Sequence, residues 1–560
     1  MSKRFLIIAS AIILIAAVVG GTIGSSRRTR RSVPANTLVD DIEKDYNEAI
    51  HTISDGYAGD IDYEKATQAA IQGMLSTLDP HSMYFPYREF KKLQEDQVSR
   101  FYGIGVTIVQ HRDGVYVQSA VEDAPAGRLG LRYGDRIIEI DGQDSRDWTS
   151  EQVSKKVRGP QGEPVTIKVD RAGSEAPLTF TIIRDAVPLP SIRNAYMVRP
   201  GTGYIGLTGG FQSTSDEELR EAIKKLKSDG MRQLILDMRG NPGGLLNQAI
   251  DVSSEFLPRG KVVVSVKGRT DYSEPMVYKS SGANPEDVPL VILINRGSAS
   301  ASEIVAGAIQ DHGRGLIVGE TSFGKGLVQH VFQLPFNTGL TLTTARYYTP
   351  YGRSLQRDYS SGSLYDYYTR HEEPTASPAP TPRSNGAAAT QASSAQVPMG
   401  PAIKTAAGRV FYGGGGITPD IDVKPMTYTP VRNRIAEAAF QFTRRLAAGL
   451  VPGLENYKVE QVQYGKNPKT ADYPINERVI EAFRTFVRSD AESHLTPALV
   501  DADLDFVKLR LREEIVTAAF SNDAGYRVLL DSDPQVLRAL EALPDAKRLA
   551  EYIKNAASQS

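Results

Sequence analysis

A cluster of serines lies where a predicted strand passes into a predicted helix. Residues 291–294 form an apolar run typical of a buried strand, and residues 304–309 have a helical pattern. Between them the chain reads Ser298-Ala299-Ser300-Ala301-Ser302-Glu303. Ser300 and Glu303 have the spacing of a capping box, which would begin the helix there. A hydroxyl at this point lies beside the positive end of the helix dipole, where it is suited to nucleophilic attack. A purely structural helix cap is the alternative interpretation.

Two further clusters follow the same pattern of polar residues near strand ends. Residues 237–244 read Asp-Met-Arg-Gly-Asn-Pro-Gly-Gly, after a predicted strand and before a predicted helix. This loop offers backbone N–H groups to an anion. It lacks the G-K-[ST] of a P-loop and the G-x-G-x-x-G of a dinucleotide turn. The third cluster, residues 319–329, contains Lys325 between two glycines and Gln329 four positions later.

Lys325 could act as a base only if its amine were neutral. The ordinary lysine pKa is about 10.4, so burial would have to lower it by about 3. The neighbours Phe323, Leu327 and Val328 could supply an apolar shell, whereas a solvated surface lysine is the default. In a strand the Cα atoms of Lys325 and Gln329 would be about 13 Å apart. We therefore predict a helical turn after Gly326 that brings their side chains together.

Residues 101–185 alternate with a period of two and predict short strands joined by glycine turns. Residues 125–142 match A-x-x-x-G-L-x-x-G-D-x-I-x-x-I-D-G and resemble a PDZ domain. The preceding stretch resembles the loop that captures a peptide's C-terminal carboxylate with backbone amides, beside a strand edge that pairs with the peptide. It consists of Tyr102, Gly103, Ile104, Gly105 and Val106. The alternative is a small β-barrel with glycine turns.

The order of these motifs resembles the carboxyl-terminal processing, or tail-specific, peptidases, a Ser-Lys serine protease family with a PDZ domain. The resemblance covers residues 37–425 approximately, and the first motif that carries it is Asp79-Pro80-His81-Ser82. It implies that Ser300 is the nucleophile, Lys325 the general base and Gln329 the residue that orients the lysine. The oxyanion hole would consist of the N–H groups of Gly244 and Ala301. Ser298 and Ser302 would be structural.

The expected fold is α/β, since strands and helices alternate from Gly203 to about Tyr348. This core resembles the crotonase/Clp-like spiral of βα units, with an inserted PDZ β-barrel and helical domains at both ends of the chain. The predicted boundaries are 1–33 for an N-terminal segment, 34–98 for a helical lead-in domain, 99–186 for the PDZ domain, 187–371 for the peptidase core, 372–408 for a disordered insertion, 409–426 for a return strand and 427–560 for a helical C-terminal domain.

Composition excludes several other functions. The formal net charge of −1 does not indicate the excess of basic residues that is typical of nucleic-acid-binding proteins. The absence of cysteine excludes thiol catalysis and disulfides. The histidines have no zinc-binding spacing, so neither a metal nor a cofactor is expected. A Ser-His-Asp site using His312 or His330 is the rival chemistry, but the chain has no G-x-S-x-G motif.

The N-terminus predicts a membrane segment. Lys3 and Arg4 precede an uncharged run over residues 5–24, and four arginines follow within residues 27–31. A retained anchor is favoured over a cleaved signal because the run is long and no A-x-A site closes it. The family resemblance implies a cell-envelope location outside the cytoplasmic membrane. Expected partners are peptides or proteins with apolar C-termini, the membrane and an adaptor protein. The alternative function is a membrane-tethered PDZ scaffold without catalysis.

Overall fold

The computed structural model describes residues 35–96, 100–269, 274–359, 367, 401–405, 408–466, 468–469 and 471–558. The predicted membrane segment and most of the predicted insertion lie outside these residues. Within them, no helix is both long and apolar enough to cross a membrane. The chain divides into two compact units after Gly73. The first contains helix α1 (Ala35–Gly56) and most of α2 (Tyr63–Leu75), as the apolar spacing predicted.

The second unit begins with a short strand and a helix, β1 (Met83–Phe85) and α3 (Tyr87–Asp96). A barrel-like sheet with the strand order β3-β4-β5-β7-β8 follows, and β6 pairs with β5. A separate pair joins β2 to β9. The elements are β2 (Arg100–Gly103), β3 (Val106–His111), β4 (Gly114–Ala120), α4 (Pro125–Arg128), β5 (Arg136–Ile140), β6 (Gln143–Asp144), α5 (Ser150–Val157), β7 (Pro164–Asp170), β8 (Leu178–Ile183) and β9 (Asp185–Pro188).

A mostly parallel sheet forms the centre of the second unit, in the order β10-β11-β12-β15-β16-β21, with only β10 antiparallel to its neighbour. One of its central strands, Leu290–Ile294, is a continuous apolar run in which all five residues are buried, as expected where both faces of a sheet are covered. The elements are β10 (Ile192–Arg199), β11 (Thr202–Leu207), α6 (Ser215–Ser228), β12 (Gln233–Asp237), α7 (Leu246–Ser254), β13 (Val262–Gly268), β14 (Met276–Lys279), β15 (Leu290–Ile294), α8 (Ala301–Asp311), β16 (Leu316–Gly319), β17 (Leu327–Gln333), β18 (Gly339–Tyr348), β19 (Ile403–Lys404), β20 (Val410–Phe411) and β21 (Ile421–Asp422).

A second, antiparallel sheet lies beside the first. It contains β1, β18, β13 and β14 in that order, and β17 also pairs with β18. The participation of β1 differs from the predicted helical lead-in domain, because Met83–Phe85 adds a strand to a sheet of the peptidase core. Part of the segment predicted to be disordered (residues 372–408) forms a strand, since Ile403–Lys404 pairs with Val410–Phe411.

The C-terminal helices are not a separate tail. They are α9 (Pro430–Ala447), α10 (Glu477–Ser489), α11 (Pro497–Ala502), α12 (Leu504–Ala519), α13 (Asn522–Leu530) and α14 (Pro534–Ser558). α9 and α12 share an apolar cluster with Tyr116 and Tyr133 of the PDZ-like region. α14 packs its alanines and leucines against Ile235, Val291 and Val318 on one face of the central sheet. The helices therefore complete two other parts of the molecule.

Candidate active site

Ser300 stands at a strained turn between β15 and α8. Its φ of 55° and ψ of −113° lie in a region that residues other than glycine rarely adopt. Such strain persists only where neighbouring contacts impose it. One contact is the Ala299 N–H, which donates to the Asn241 carbonyl at 3.0 Å. The turn leaves the Ser300 side chain partly exposed at the N-terminus of α8.

The Glu303 carboxylate joins the serine turn to the lysine loop. Its Oε2 accepts hydrogen bonds from the N–H groups of Ser300 and Lys325, each at 2.8 Å. Its Oε1 accepts from the Ser322 hydroxyl at 2.5 Å and the Gly324 N–H at 2.7 Å. Burial raises the pKa of Glu303, while these hydrogen bonds oppose that rise. The backbone nitrogens of Ser300 and Lys325 thus lie less than about 6 Å apart around one oxygen.

The predicted helical turn after Gly326 is wrong. Leu327–Gln333 is strand β17, yet Lys325 Nζ donates to Gln329 Oε1 at 3.0 Å. The β17–β18 register shifts between Val328 and Gln329, which bends the strand locally. The side chains of Lys325 and Gln329 are long enough to make contact although the backbone between them is extended. The error came from judging proximity by the backbone alone.

The lysine amine lies in a largely enclosed environment. Burial lowers the pKa of Lys325 below the ordinary lysine value, while the charges of Glu303 and Asp79 oppose that effect. The direction is the one that a base requires. Gln329 is itself oriented, because its Nε2 donates to the His81 carbonyl at 2.8 Å and leaves Oε1 facing the lysine.

His81 is a member of this site that the sequence analysis placed only within a motif of the family. Burial and the nearby Lys325 charge lower the pKa of His81 to about 4. Its Nε2 and the Tyr367 hydroxyl are 2.8 Å apart, and its ring contacts Phe323 and Tyr367 edge-on. Asp79 shapes the turn by accepting the His81 N–H at 2.8 Å. The contacts of His81 with Phe323 and Tyr367 join residues more than 240 positions apart, which no local spacing could reveal.

The loop Gly243-Gly244 lies against Ser300. A Cβ at Gly243 would come within 2.7 Å of Ser300 Cβ and 2.9 Å of the Ala301 nitrogen. Phe211 donates its N–H to the Gly243 carbonyl and accepts from the Leu245 N–H, so the Gly244 N–H points away from Phe211. In the described part of the chain, neither Gly244 N–H nor Ala301 N–H has a protein acceptor. Two amide groups without a protein acceptor therefore lie next to the contact between the serine turn and this loop, one on each side of it.

The rival histidines lie elsewhere. His312 follows the last turn of α8, about 18 Å along the axis from Ser300. Its Nε2 is 2.7 Å from the Val262 carbonyl. His330 is exposed on β17. The structure brings neither histidine to the serine turn, so it does not support a Ser-His-Asp site built on them.

The predicted carboxylate loop begins within a strand. Tyr102 and Gly103 belong to β2 and pair with β9, and Val106 begins β3. Only Ile104 and Gly105 form the connecting turn, and their carbonyls accept the N–H groups of Ala126 and Val121, each at 2.9 Å. Among the described strands, β3 pairs only with β4, so its other edge is open for a peptide strand.

Comparison with known proteins identifies the families that this chain resembles. The model of peptidase family S41 matches residues 201–367, and that of the PDZ domain matches residues 93–170. A carboxy-terminal-processing protease of Bartonella bacilliformis is 40% identical over 299 residues, covering 53% of this chain and 68% of the relative. A carboxyl-terminal-processing protease of Synechocystis sp. is 34% identical over 297 residues, covering 52% of this chain and 69% of the relative.

The chain belongs to the carboxy-terminal-processing proteases of family S41. It is therefore a serine protease with a PDZ domain, and peptides are its substrates. Its fold is α/β with an inserted PDZ domain and helices at both ends. A photosystem II D1 C-terminal processing protease of known structure is 29% identical, with 56% of this chain and 84% of that chain covered. The TM-score of 0.33 is low, so the assignment rests on the sequence matches.

Proposed function

We propose that Ser300 and Lys325 cleave peptide bonds through an acyl-enzyme. The observation that carries this proposal is the Glu303 carboxylate, which binds the backbone N–H of both residues on one oxygen. Neutral Lys325 accepts the Ser300 hydroxyl proton as Oγ attacks the scissile carbonyl. The N–H groups of Gly244 and Ala301 donate to the developing oxyanion. Lys325 then donates its proton to the leaving amine, and water hydrolyses the ester by the reverse sequence.

Gln329 holds the amine of Lys325 toward the reacting atoms. Its side-chain oxygen accepts from Nζ, and its own amide is fixed by the His81 carbonyl. His81 stays neutral above about pH 4, so it adds no second positive charge near the lysine. Burial of Lys325, and not a neighbouring cation, therefore favours the neutral amine.

The PDZ domain delivers substrate by its C-terminus. The amides of the Ile104–Gly105 turn receive the terminal carboxylate, and the open edge of β3 pairs with the peptide backbone. Val106 and Ile108 of β3 pack on the apolar core of the domain and favour substrates with apolar C-termini. An adaptor protein that presents such tails is a further partner in this proposal.

The protease works in the cell envelope, on the outer side of the cytoplasmic membrane. The uncharged run of residues 5–24 supports this, either as an anchor or as a signal. A reporter fused after Val33 distinguishes the possibilities: an exported signal agrees with the proposal, and a purely cytoplasmic signal contradicts it.

The catalytic proposal is tested with purified Ser300→Ala. We expect it to lose at least about 10³-fold in the rate of cleavage of an apolar-tailed protein, as loss of a nucleophile does in other serine proteases. Binding of a fluorescent apolar-tailed peptide should be unchanged. Equal cleavage by the variant and the wild type would contradict the assignment of Ser300. If the protein were a non-catalytic scaffold, Lys325→Ala would bind the apolar-tailed peptide normally and leave every measured activity unchanged.

A further inference from the structure

Arg239 begins the loop that ends at Gly244. It lies two residues beyond the end of β12, and its side chain is only 10% exposed. The guanidinium folds back onto Asp237, with Nε 3.0 Å and Nη2 2.7 Å from Oδ2. The Tyr204 hydroxyl donates to the same Oδ2 at 2.7 Å. These contacts hold the first half of the loop at the end of the central sheet.

The remaining guanidinium nitrogen reaches the C-terminal helices. Arg239 Nη1 donates to Asp533 Oδ2 and to Gln535 Oε1, each at 2.7 Å. Both acceptors lie at the beginning of α14, far beyond the residues that match the peptidase family model. They are held in turn, because Asp533 Oδ1 accepts the Gln535 N–H at 2.8 Å and Gln535 Nε2 donates to the Val423 carbonyl at 2.7 Å.

The short segment between Arg239 and Gly244 transmits this restraint to the serine turn. The Asn241 carbonyl accepts the Ala299 N–H and the Ser302 hydroxyl, each at 3.0 Å. The Asn241 side chain accepts the Gly243 N–H at 2.9 Å. A shift at Arg239 therefore strains the hydrogen bonds that connect this loop to the turn that carries Ser300.

We propose that Asp533 and Gln535 are positioning residues for the oxyanion hole. By fixing Arg239 they set the place of the Gly244 N–H beside Ser300, so the C-terminal helix takes part in catalysis without touching substrate. This inference rests on the proposed roles of Ser300 and Gly244. If the contact only anchored α14, its loss would lower stability and leave the reactivity of the folded enzyme unchanged.

The test uses Asp533→Ser in the full chain. Serine still caps α14 as aspartate does, but it is too short to reach Arg239. We expect the variant to react with a fluorophosphonate at Ser300 about tenfold more slowly and to bind a peptide aldehyde about tenfold more weakly. The KM for an apolar-tailed substrate should change less than twofold, because tail binding is remote. Asp533→Asn keeps an acceptor and should restore most of the reactivity.

Asp531→Ser is the matched control. Asp531 lies two residues earlier and pairs with Arg199 on the exposed surface at 3.0 Å, so its loss should change none of these quantities. The melting temperature of each variant is measured, to establish that the variant is folded at the assay temperature. If folded Asp533→Ser reacts at the wild-type rate, the inference is wrong while the protease assignment stands. If Ser300→Ala is labelled like the wild type, the proposed function itself fails.

Discussion

The serine turn and the PDZ turn use the same groups, backbone amides at a bend, in opposite ways. Around Ser300 the chain is held through a buried carboxylate that accepts four hydrogen bonds and joins two loops. At Ile104–Gly105 the carbonyls are bonded, whereas the neighbouring strand keeps an open edge. Bond making needs atoms fixed to a fraction of an ångström, whereas peptide recognition needs backbone groups still free to pair.

Replacing the base should have the largest effect within this comparison. Lys325→Met keeps the length of the side chain but removes the amine, so we expect kcat to fall about 10³-fold with tail binding unchanged. The wild-type rate should rise with pH through the lowered pKa of Lys325, and the residual rate of the variant should not follow that profile. Kinetics between pH 5 and 10 measure both.

The same substitution tests the cost of burying the lysine. Burial lowers the folded-state pKa of Lys325, so between that pKa and the unfolded value of 10.5 the unfolded chain binds more protons. Wild-type stability therefore rises with pH across this window and is reduced below it. Lys325→Met should be more stable than the wild type at neutral pH and lack this rise. A lower melting temperature for the variant at pH 7 would contradict the buried environment.

Replacing the shared carboxylate should be the next largest effect. Each carboxylate oxygen of Glu303 accepts two hydrogen bonds, so in Glu303→Gln the NH2 group would face two donors whichever oxygen it replaced. These donors are two N–H groups at Oε2, and a hydroxyl and an N–H at Oε1. We expect a loss of about 2–4 kcal/mol in the free energy of unfolding, since each unsatisfied buried donor costs about 1–3 kcal/mol. kcat should fall about 10²-fold. Urea titration and initial rates measure these effects.

Glu320→Gln is the control for Glu303→Gln. Glu320 pairs loosely with a half-exposed Arg296 at 3.4 Å, so we expect less than about 0.5 kcal/mol of change. Equal stability of the two glutamine variants would mean that the carboxylate does not join the serine and lysine loops.

A substitution in the peptide-recognition turn should have the smallest effect, and it should change KM while hydrolysis of a small ester stays normal. Gly105 has φ 77°, and a Cβ there would lie 2.1 Å from Ala124 Cβ. Gly105→Ala should raise the KM for an apolar-tailed substrate about tenfold while a short untailed ester is cleaved normally. Gly142→Ala is matched, since Gly142 also has φ 77° but nothing within 4 Å of the added methyl group. A change in ester hydrolysis by Gly105→Ala would show that the two sites are not separable.

Local patterns predicted much of the secondary structure. The predicted alternation of strands and helices from Gly203 to about Tyr348 is observed, and it includes α6 (Ser215–Ser228), β17 (Leu327–Gln333) and β18 (Gly339–Tyr348). The S-x-x-E spacing located the beginning of α8, and the Glu303 half of that box is formed. These features depend on residues a few positions apart, for which period and capping chemistry are sufficient.

Contacts between distant segments escaped the sequence analysis. Met83–Phe85 joins β18 although its surroundings are helical, because the edge of that sheet offers unpaired backbone groups. The Lys325–Gln329 contact forms across a bent strand because side-chain length closes the gap. The C-terminal helices looked independent because their apolar spacing does not say which surface they cover. The predicted domain boundaries and the roles of the site residues stay predictions.

By itself, the amino-acid sequence determined the family, the beginning of α8 at Ser300, and Ser300 and Lys325 as candidates for the chemistry, because these depend on residue type and short spacing. Only the tertiary structure decided that Glu303 unites the serine and lysine loops, that His81, which contacts Tyr367, lies near the lysine, and that the last helix contacts Arg239. Each of these depends on burial and on hydrogen bonds between segments far apart in the chain, and those are set by packing of the whole fold.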